Sequence, residues 1–251
     1  MANPVVRSGR LFGLIGYPLS HSFSKKYFSE KFEQEGITDC QYELFPLTAI
    51  DELPALLAAY PQLCGLNVTI PYKEQVISFL HSQNPLVAAI GACNCIRIET
   101  GQLQGFNTDA IGFQRSLQEK LLPAHRQALV FGTGGAAKAV CYVLRQLNID
   151  YQLVSRRKMY DQLSYEEVTE ALLQTHTLLI NTTPLGMYPN VTEAPPLPYQ
   201  ALTADHYLYD LVYNPEQTLF LEKGAAAGAR TKNGMDMLVI QAEESWKIWN
   251  S

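Results

Sequence analysis

Ala128-Leu129-Val130-Phe131-Gly132-Thr133-Gly134-Gly135-Ala136-Ala137 decides how this chain folds. Four apolar residues with no charge among them read as a strand buried on both faces, as in a parallel sheet. Residues 136–147 then carry apolar side chains on most faces, the pattern of a crossover helix packed on that sheet. Strand, glycine turn and helix in this order form the context that turns Gly-x-Gly-x-x-Ala into a dinucleotide-binding fingerprint. Gly132 permits the tight turn, Gly134 lets the backbone approach a pyrophosphate, and Ala137 allows close helix–strand packing. Free amide N–H groups and the positive helix end hold the anion.

Downstream, the next strand (151–154) runs into Ser155-Arg156-Arg157-Lys158 where an NAD site needs a carboxylate for the ribose hydroxyls. A carboxylate repels a 2′-phosphate and a guanidinium pairs with it bidentately, so NADP is the expected cofactor. Two more buried strands, 177–181 and 207–211, lead into Asn181-Thr182-Thr183-Pro184-Leu185-Gly186-Met187 and Tyr213-Asn214-Pro215. Loops at the carboxyl ends of parallel strands are where such sheets bind ligands. Met187 there can pack a nicotinamide ring or simply fill a gap. The Pro- and Thr-rich stretch 189–204 reads as an irregular loop, 217–227 as a helix, Asn233-Gly234 as a break and 235–249 as the last helix. Gln241 in that helix faces either solvent or a site.

Upstream, strands and helices alternate at the rhythm of an α/β sheet with much parallel pairing. A strand over 10–16 ends in Gly16-Tyr17-Pro18, followed by Ser20-His21-Ser22-Phe23-Ser24 and a helix over 25–34 that Gly36 stops. Ser22 and Ser24 suit helix capping and also anion binding at a helix start. A strand over 41–45 and a helical stretch over 50–60 come next. The strand over 64–68 leads to Asn67-Val68-Thr69-Ile70-Pro71-Tyr72-Lys73, with Pro71 opening a helix to about residue 80. Lys73 then stands in the first helical turn, where the helix dipole disfavours a cation. Either it reaches to solvent, or the strand end presents Asn67, Thr69 and Lys73 to a polar ligand. A helical segment over 86–90, a strand ending at Ile98, a tight turn at 99–102 and Gly105-Phe106-Asn107-Thr108-Asp109 complete this half. Asp109 suits a helix cap.

With 251 residues, 47% of them hydrophobic and 17% charged, the chain has material for one large or two medium domains. A net charge of −5 gives no electrostatic reason for nucleic acid or an anionic membrane as partner. Five cysteines, mostly in apolar runs, suggest reduced core thiols and a cytoplasmic protein. Cys93-Asn94-Cys95 lacks metal-site spacing and the five histidines are scattered, so no metal is expected. No apolar run is long enough to span a bilayer, and residues 1–10 hold no signal-type apolar core.

Taken together, eight segments resemble the shikimate dehydrogenase family in that family's order. They are residues 16–24, Asn67 to Lys73, Gly91-Ala92-Cys93-Asn94, Gly105 to Asp109, Gly132 to Ala136, Asn181 to Met187, Asp210-Leu211-Val212-Tyr213, and 234–241. The resemblance covers nearly the whole chain and implies an α/β enzyme of two domains. Residues 1–104 plus 235–251 would form a substrate domain with a mostly parallel mixed sheet. Residues 105–234 would form a Rossmann-type NADP-binding domain, with the C-terminal helix returning to the first domain. The implied reaction is NADPH-dependent reduction of 3-dehydroshikimate to shikimate in aromatic amino-acid biosynthesis, by a monomer or homodimer. Carried over position by position, Ser22 and Ser24 would bind the substrate carboxylate with Tyr213 nearby. Thr69, Lys73, Asn94, Asp109 and Gln241 would hold the ring hydroxyls and the reacting oxygen. Gly132, Gly134, Gly135 and Ala136 would cradle the pyrophosphate; Ser155, Arg156 and Arg157 would take the 2′-phosphate; Met187 would lie by the nicotinamide. Lys73 would be the proton donor, oriented by Asp109. Three departures stand out: Lys25 where the family has Pro, Cys95 where it has Thr, and Ser155-Arg156-Arg157 in place of Asn-Arg-Thr. Quinate/shikimate dehydrogenases using NAD or NADP are the nearest alternative. A non-catalytic NADP-binding sensor on the same scaffold should lack Lys73 or Asp109, and both are present.

Overall fold

The structure, a computed structural model, describes residues 9–19, 22–159 and 161–251, and the chain divides into two units. Ser20 and His21 of the first motif lie outside the described residues. Unit 1 comprises Met1–Thr108 with Ser245–Ser251, and unit 2 comprises Asp109–Glu244.

Unit 1 contains β1 (Arg10–Gly16), α1 (Ser24–Gln34), β2 (Cys40–Pro46), α2 (Leu53–Ala59), β3 (Leu63–Val68), β4 (Ser82–Gln83), α3 (Pro85–Ile90), β5 (Cys95–Glu99) and β6 (Gln102–Phe106). Its sheet has the order β2-β1-β3-β5-β6-β4. β1 pairs in parallel with β2 and β3, whereas β5 runs antiparallel to both β3 and β6. The reversal comes from the two-residue turn between β5 and β6, where Thr100 and Gly101 both have positive φ, as the hairpin twist requires. One apolar core under the sheet is built from Leu11, Ile15, Phe45, Leu53, Leu66 and Val76. Elsewhere in this unit an aromatic cluster holds the end of the chain: Trp249 stacks on Phe12 at 4.8 Å, and Trp246 lies 5.3 Å from Phe32.

Helix α1 keeps the expected length, and Gly36 ends it in the left-handed region, with Ile37 N–H bonding back to the Phe32 carbonyl. The helix expected over 71–80 is different. Ile70 to Glu74 form turns, and a 3₁₀ segment, Gln75–Phe79, follows. Non-local partners take two acceptors of the expected ladder, the Ile70 carbonyl accepting the Tyr17 N–H at 3.0 Å and the Lys73 carbonyl the Cys93 N–H at 2.7 Å, while Tyr72 keeps one helical bond from the Val76 N–H. Lys73 is therefore not a first-turn residue, and the helix-dipole argument does not apply to it.

Unit 2 contains α4 (Asp109–Gln118), β7 (Gln127–Phe131), α5 (Gly135–Gln146), β8 (Asp150–Val154), β9 (Gln162–Leu163), α6 (Glu170–Leu173), β10 (Leu178–Asn181), β11 (Tyr207–Asp210), α7 (Leu219–Ala226), β12 (Arg230–Lys232) and α8 (Met235–Trp249), whose last residues belong to unit 1. All six strands are parallel, in the order β12-β11-β10-β7-β8-β9. Counted within the unit, this is the 3-2-1-4-5-6 order of the doubly wound dinucleotide fold, which reverses direction at β7 and β10. Residues 128–131 and 178–181 are fully buried, as expected for central strands covered on both faces. Gly112 lets α4 close on α8, since a Cβ there would stand 2.7 Å from the Met237 carbonyl oxygen.

Candidate active site

In unit 1 the site candidates converge because neighbouring strands end at one sheet edge. The loop after β1 meets the loop after β3 through Tyr17 N–H to the Ile70 carbonyl (3.0 Å) and Thr69 N–H to the Ile15 carbonyl (2.9 Å). The segment entering β5 joins them through Val68 N–H to the Asn94 carbonyl (2.9 Å) and the Cys93–Lys73 bond. Thr69, Lys73 and Asn94 thus come from strand ends tied together by backbone hydrogen bonds. Ser24 opens α1 and Ser22 precedes it, with Ser22 Oγ accepting the Ser24 N–H at 3.3 Å.

Behind these residues lies a buried polar layer. Asn94 is held by Thr108, whose N–H donates to Asn94 Oδ1 at 2.6 Å and whose Oγ1 accepts from Asn94 Nδ2 at 2.9 Å. The Tyr42 hydroxyl donates to Asn67 Oδ1 at 2.9 Å. Burial pushes the Tyr42 phenol well above its usual range, and the Ser24 hydroxyl is a further hydrogen-bond partner. Lys25 reaches Glu43 at 2.6 Å on the surface, and α1 starts at Ser24 without the family's proline. Cys95 is fully buried in β5, close to the Tyr42 phenol.

In unit 2 every candidate cofactor residue follows the carboxyl end of a parallel strand. Gly132 has φ +110, and a Cβ there would meet Thr182 Oγ1 at 2.5 Å, so only glycine fits. Gly134 is the N-cap of α5 and has open space where a side chain would be. Gly135 and Ala136 open the helix, whose first N–H groups have no intrahelical partners. That cradle fits a pyrophosphate.

After β8, Ser155 folds the turn by accepting the Arg157 N–H at 3.2 Å and donating to the Arg157 carbonyl at 3.1 Å. Lys158 is neutralised by Glu167 at 2.5 Å, and Glu167 also accepts the Ser164 N–H at 2.8 Å. Arg156 and Arg157 are exposed and form no ion pair among the described residues. Two uncommitted guanidiniums therefore flank the end of the strand whose position governs the 2′-phosphate.

The loops after β10 and β11 are held by the first residue of the segment Asp210 to Tyr213, to which the sequence assigns no role of its own. Asp210 is fully buried and accepts from Asn181 Nδ2 (3.0 Å), the Val212 N–H (3.0 Å) and Thr218 Oγ1 (2.6 Å). Burial pushes its carboxyl up to about 6, against the pull of these three donors. Tyr188 N–H bonds to the Asn214 carbonyl at 3.1 Å, so the loops carrying Met187 and Tyr213 are joined. Met187 is 43% exposed, a poor gap-filler and an available apolar face. Asp109 is the first residue of α4, not its cap, and is buried. Gln241 stands on α8 where Gly112 brings α4 against it, with its Nε2 donating to the Leu238 carbonyl at 2.8 Å.

A parallel 3-2-1-4-5-6 sheet with a glycine cradle, and two exposed arginines without an ion pair among the described residues, defines a dinucleotide-binding α/β protein. A family model described as the shikimate dehydrogenase substrate binding domain matches residues 14–96. The shikimate dehydrogenase (NADP(+)) of Methanococcus maripaludis is 34% identical over 256 residues, covering 96% of this chain and 91% of its own. The shikimate 5-dehydrogenase of Thermus thermophilus, solved in complex with NADP(H) and shikimate, is 30% identical with a TM-score of 0.84. That match covers 96% of this chain and 93% of the other. Quinate dehydrogenase from Corynebacterium glutamicum, solved with NAD, is 27% identical with a TM-score of 0.83 over 96% of this chain and 93% of its own. The chain belongs to the shikimate dehydrogenase family.

Proposed function

We propose that this chain is an NADP-dependent shikimate dehydrogenase, reversibly reducing 3-dehydroshikimate to shikimate. The observation that carries the reading is that Lys73 and Asn94 stand on hydrogen-bonded segments of the unit matching the substrate-binding family model. NADPH, when bound, supplies the hydride. Negative charge then develops on the substrate oxygen, and Lys73 as an ammonium both stabilises it and donates the proton. Asp109 accepts from a ring hydroxyl in this reading. Ser22 and Ser24 take the substrate carboxylate with Tyr213, while Thr69, Asn94 and Gln241 hold the ring hydroxyls. Gly132, Gly134, Gly135 and Ala136 hold the pyrophosphate, Ser155, Arg156 and Arg157 the 2′-phosphate, and Met187 packs on the nicotinamide.

The substrate is a small molecule, and no helix among the described residues is long and apolar enough to cross a membrane. A cytoplasmic monomer or homodimer that engages no nucleic acid completes the reading. A quinate/shikimate dehydrogenase is the second reading, favoured by the likeness to a quinate dehydrogenase. Initial rates with shikimate and quinate, each with NADP and NAD, separate the two. A clear preference for shikimate with NADP is expected; quinate with NAD as the best pair would overturn the proposal.

A further inference from the structure

Five side chains of unit 1, each no more than 5% exposed, form an unbroken hydrogen-bonded chain that the proposed chemistry does not use as such. It runs from Tyr42 to Asn67, from Asn67 Nδ2 to Ser245 Oγ at 2.9 Å, from Ser245 Oγ to Thr108 Oγ1 at 3.2 Å, and from Thr108 to Asn94. Asn67 Nδ2 also approaches the Asn94 carbonyl at 3.3 Å. Two of the partners fix the polarity of the whole. The Asn94 carbonyl can only accept, so the nitrogen of Asn67 must face it and its oxygen must face Tyr42. The Thr108 N–H can only donate, so the oxygen of Asn94 must face it. Asn67 then feeds one proton into Ser245, Asn94 feeds one into Thr108, and a single hydroxyl proton bridges the two hydroxyls.

Such a chain adds little net stability over apolar groups of the same shape, because each bond replaces one made to water. Its distinctive effect is orientation, since a satisfied buried network admits one arrangement. Ser245 is the joint: it is fully buried, comes from the far end of the sequence, and links the Asn67 half to the Thr108 half through its hydroxyl.

We propose that Ser245, with Asn67, is a positioning residue that acts through Thr108 to fix the carboxamide of Asn94 before the substrate arrives. This rests on the reading of Asn94 as a ligand to the substrate ring hydroxyls. The test is Ser245→Ala in the full chain, made in the wild-type background and in Asn94→Ala, with initial rates for shikimate and NADP. Alanine is the strongest helix former and smaller than serine, so α8 tolerates it, and melting temperatures of all four proteins verify folding. With Asn94 intact, Ser245→Ala should raise the KM for shikimate about three- to tenfold, the scale of one neutral hydrogen bond. The KM for NADP should not move. In the Asn94→Ala background the same change should have no further effect on shikimate. An unchanged KM for shikimate with Asn94 intact, or an equal fold-change in both backgrounds, overturns the positioning role and leaves the site reading standing. If Asn94→Ala itself leaves the KM for shikimate unchanged, the reading of Asn94 fails, and the proposal with it.

Discussion

Gly65 of β3 lies flat against the indole of Trp249, whose ring nitrogen donates to the Ile96 carbonyl at 3.0 Å. The indole is stacked on Phe12 and packed by Phe28, so it has no room to retreat. Gly65→Ala should cost about 1–3 kcal/mol by overpacking. Its urea midpoint should fall with an unchanged slope, and the tryptophan emission should shift as the indole is displaced. A midpoint equal to wild type would show that α8 can slide to accommodate a methyl.

Lys73→Ala should lower kcat about 10²–10⁴-fold, the usual contribution of a positioned general acid. Because the lysine stands in unit 1 and the glycine cradle in unit 2, cofactor affinity should be nearly unchanged. Titrating NADPH fluorescence against the variant checks the second point, and near-normal turnover would remove Lys73 from the chemistry.

Arg156→Ala should raise the KM for NADP roughly 10–100-fold, the value of a charge-assisted hydrogen-bonded pair, and hardly change that for NAD. Lys158→Ala should do much less, because Glu167 already neutralises Lys158. Equal losses with NADP and NAD in Arg156→Ala would mean that the arginine shapes the turn and does not read the phosphate.

The Asp210 carboxyl, pushed up to about 6 by burial, makes a pH-dependent contribution to stability. Between the unfolded value of 3.8 and the native one, the folded protein binds the extra proton. This contribution is therefore complete below the unfolded pKa and is lost as pH rises through about 6. Asp210→Asn, which keeps the acceptor oxygen, abolishes that titration. Wild type should gain on the variant by on the order of 2 kcal/mol between pH 7 and pH 4, measured by urea unfolding of both. A constant gap would mean that Asp210 is already protonated, or equally ionised, across the range.

What the sequence makes legible follows how local each cause is. The glycine turn at 132–135 is written in consecutive residues, and strand, turn and helix fall where the pattern puts them. Strand β12, Arg230–Lys232, leaves no such trace, because an edge strand with two cations has no apolar alternation. Lys232 is buried only because Glu119 and Asp236 flank it. The four-residue helix α6 is too short to show a period. The misplaced helix over 71–80 shows the same limit: Pro71 is a sound local signal, but the Ile70 and Lys73 carbonyls are committed to Tyr17 and Cys93. Candidate ligands stand in recognisable motifs, whereas Tyr42 and Ser245 act on Asn67 from 25 and 178 residues away, and the anchoring role of Asp210 depends on Asn181, 29 residues away.

The bond between the Lys73 carbonyl and the Cys93 amide sets a practical rule for anyone redesigning this protein. It welds the stretch ending at Lys73 to the stretch opening β5, so the proposed acid and the proposed hydroxyl ligand Asn94 travel as one cassette. A loop graft over residues 67–73 must return the carbonyl of residue 73 to the Cys93 amide, or it detunes both groups at once. Transplanting 67–73 together with 91–94 preserves their mutual registration and leaves substrate choice to be varied elsewhere.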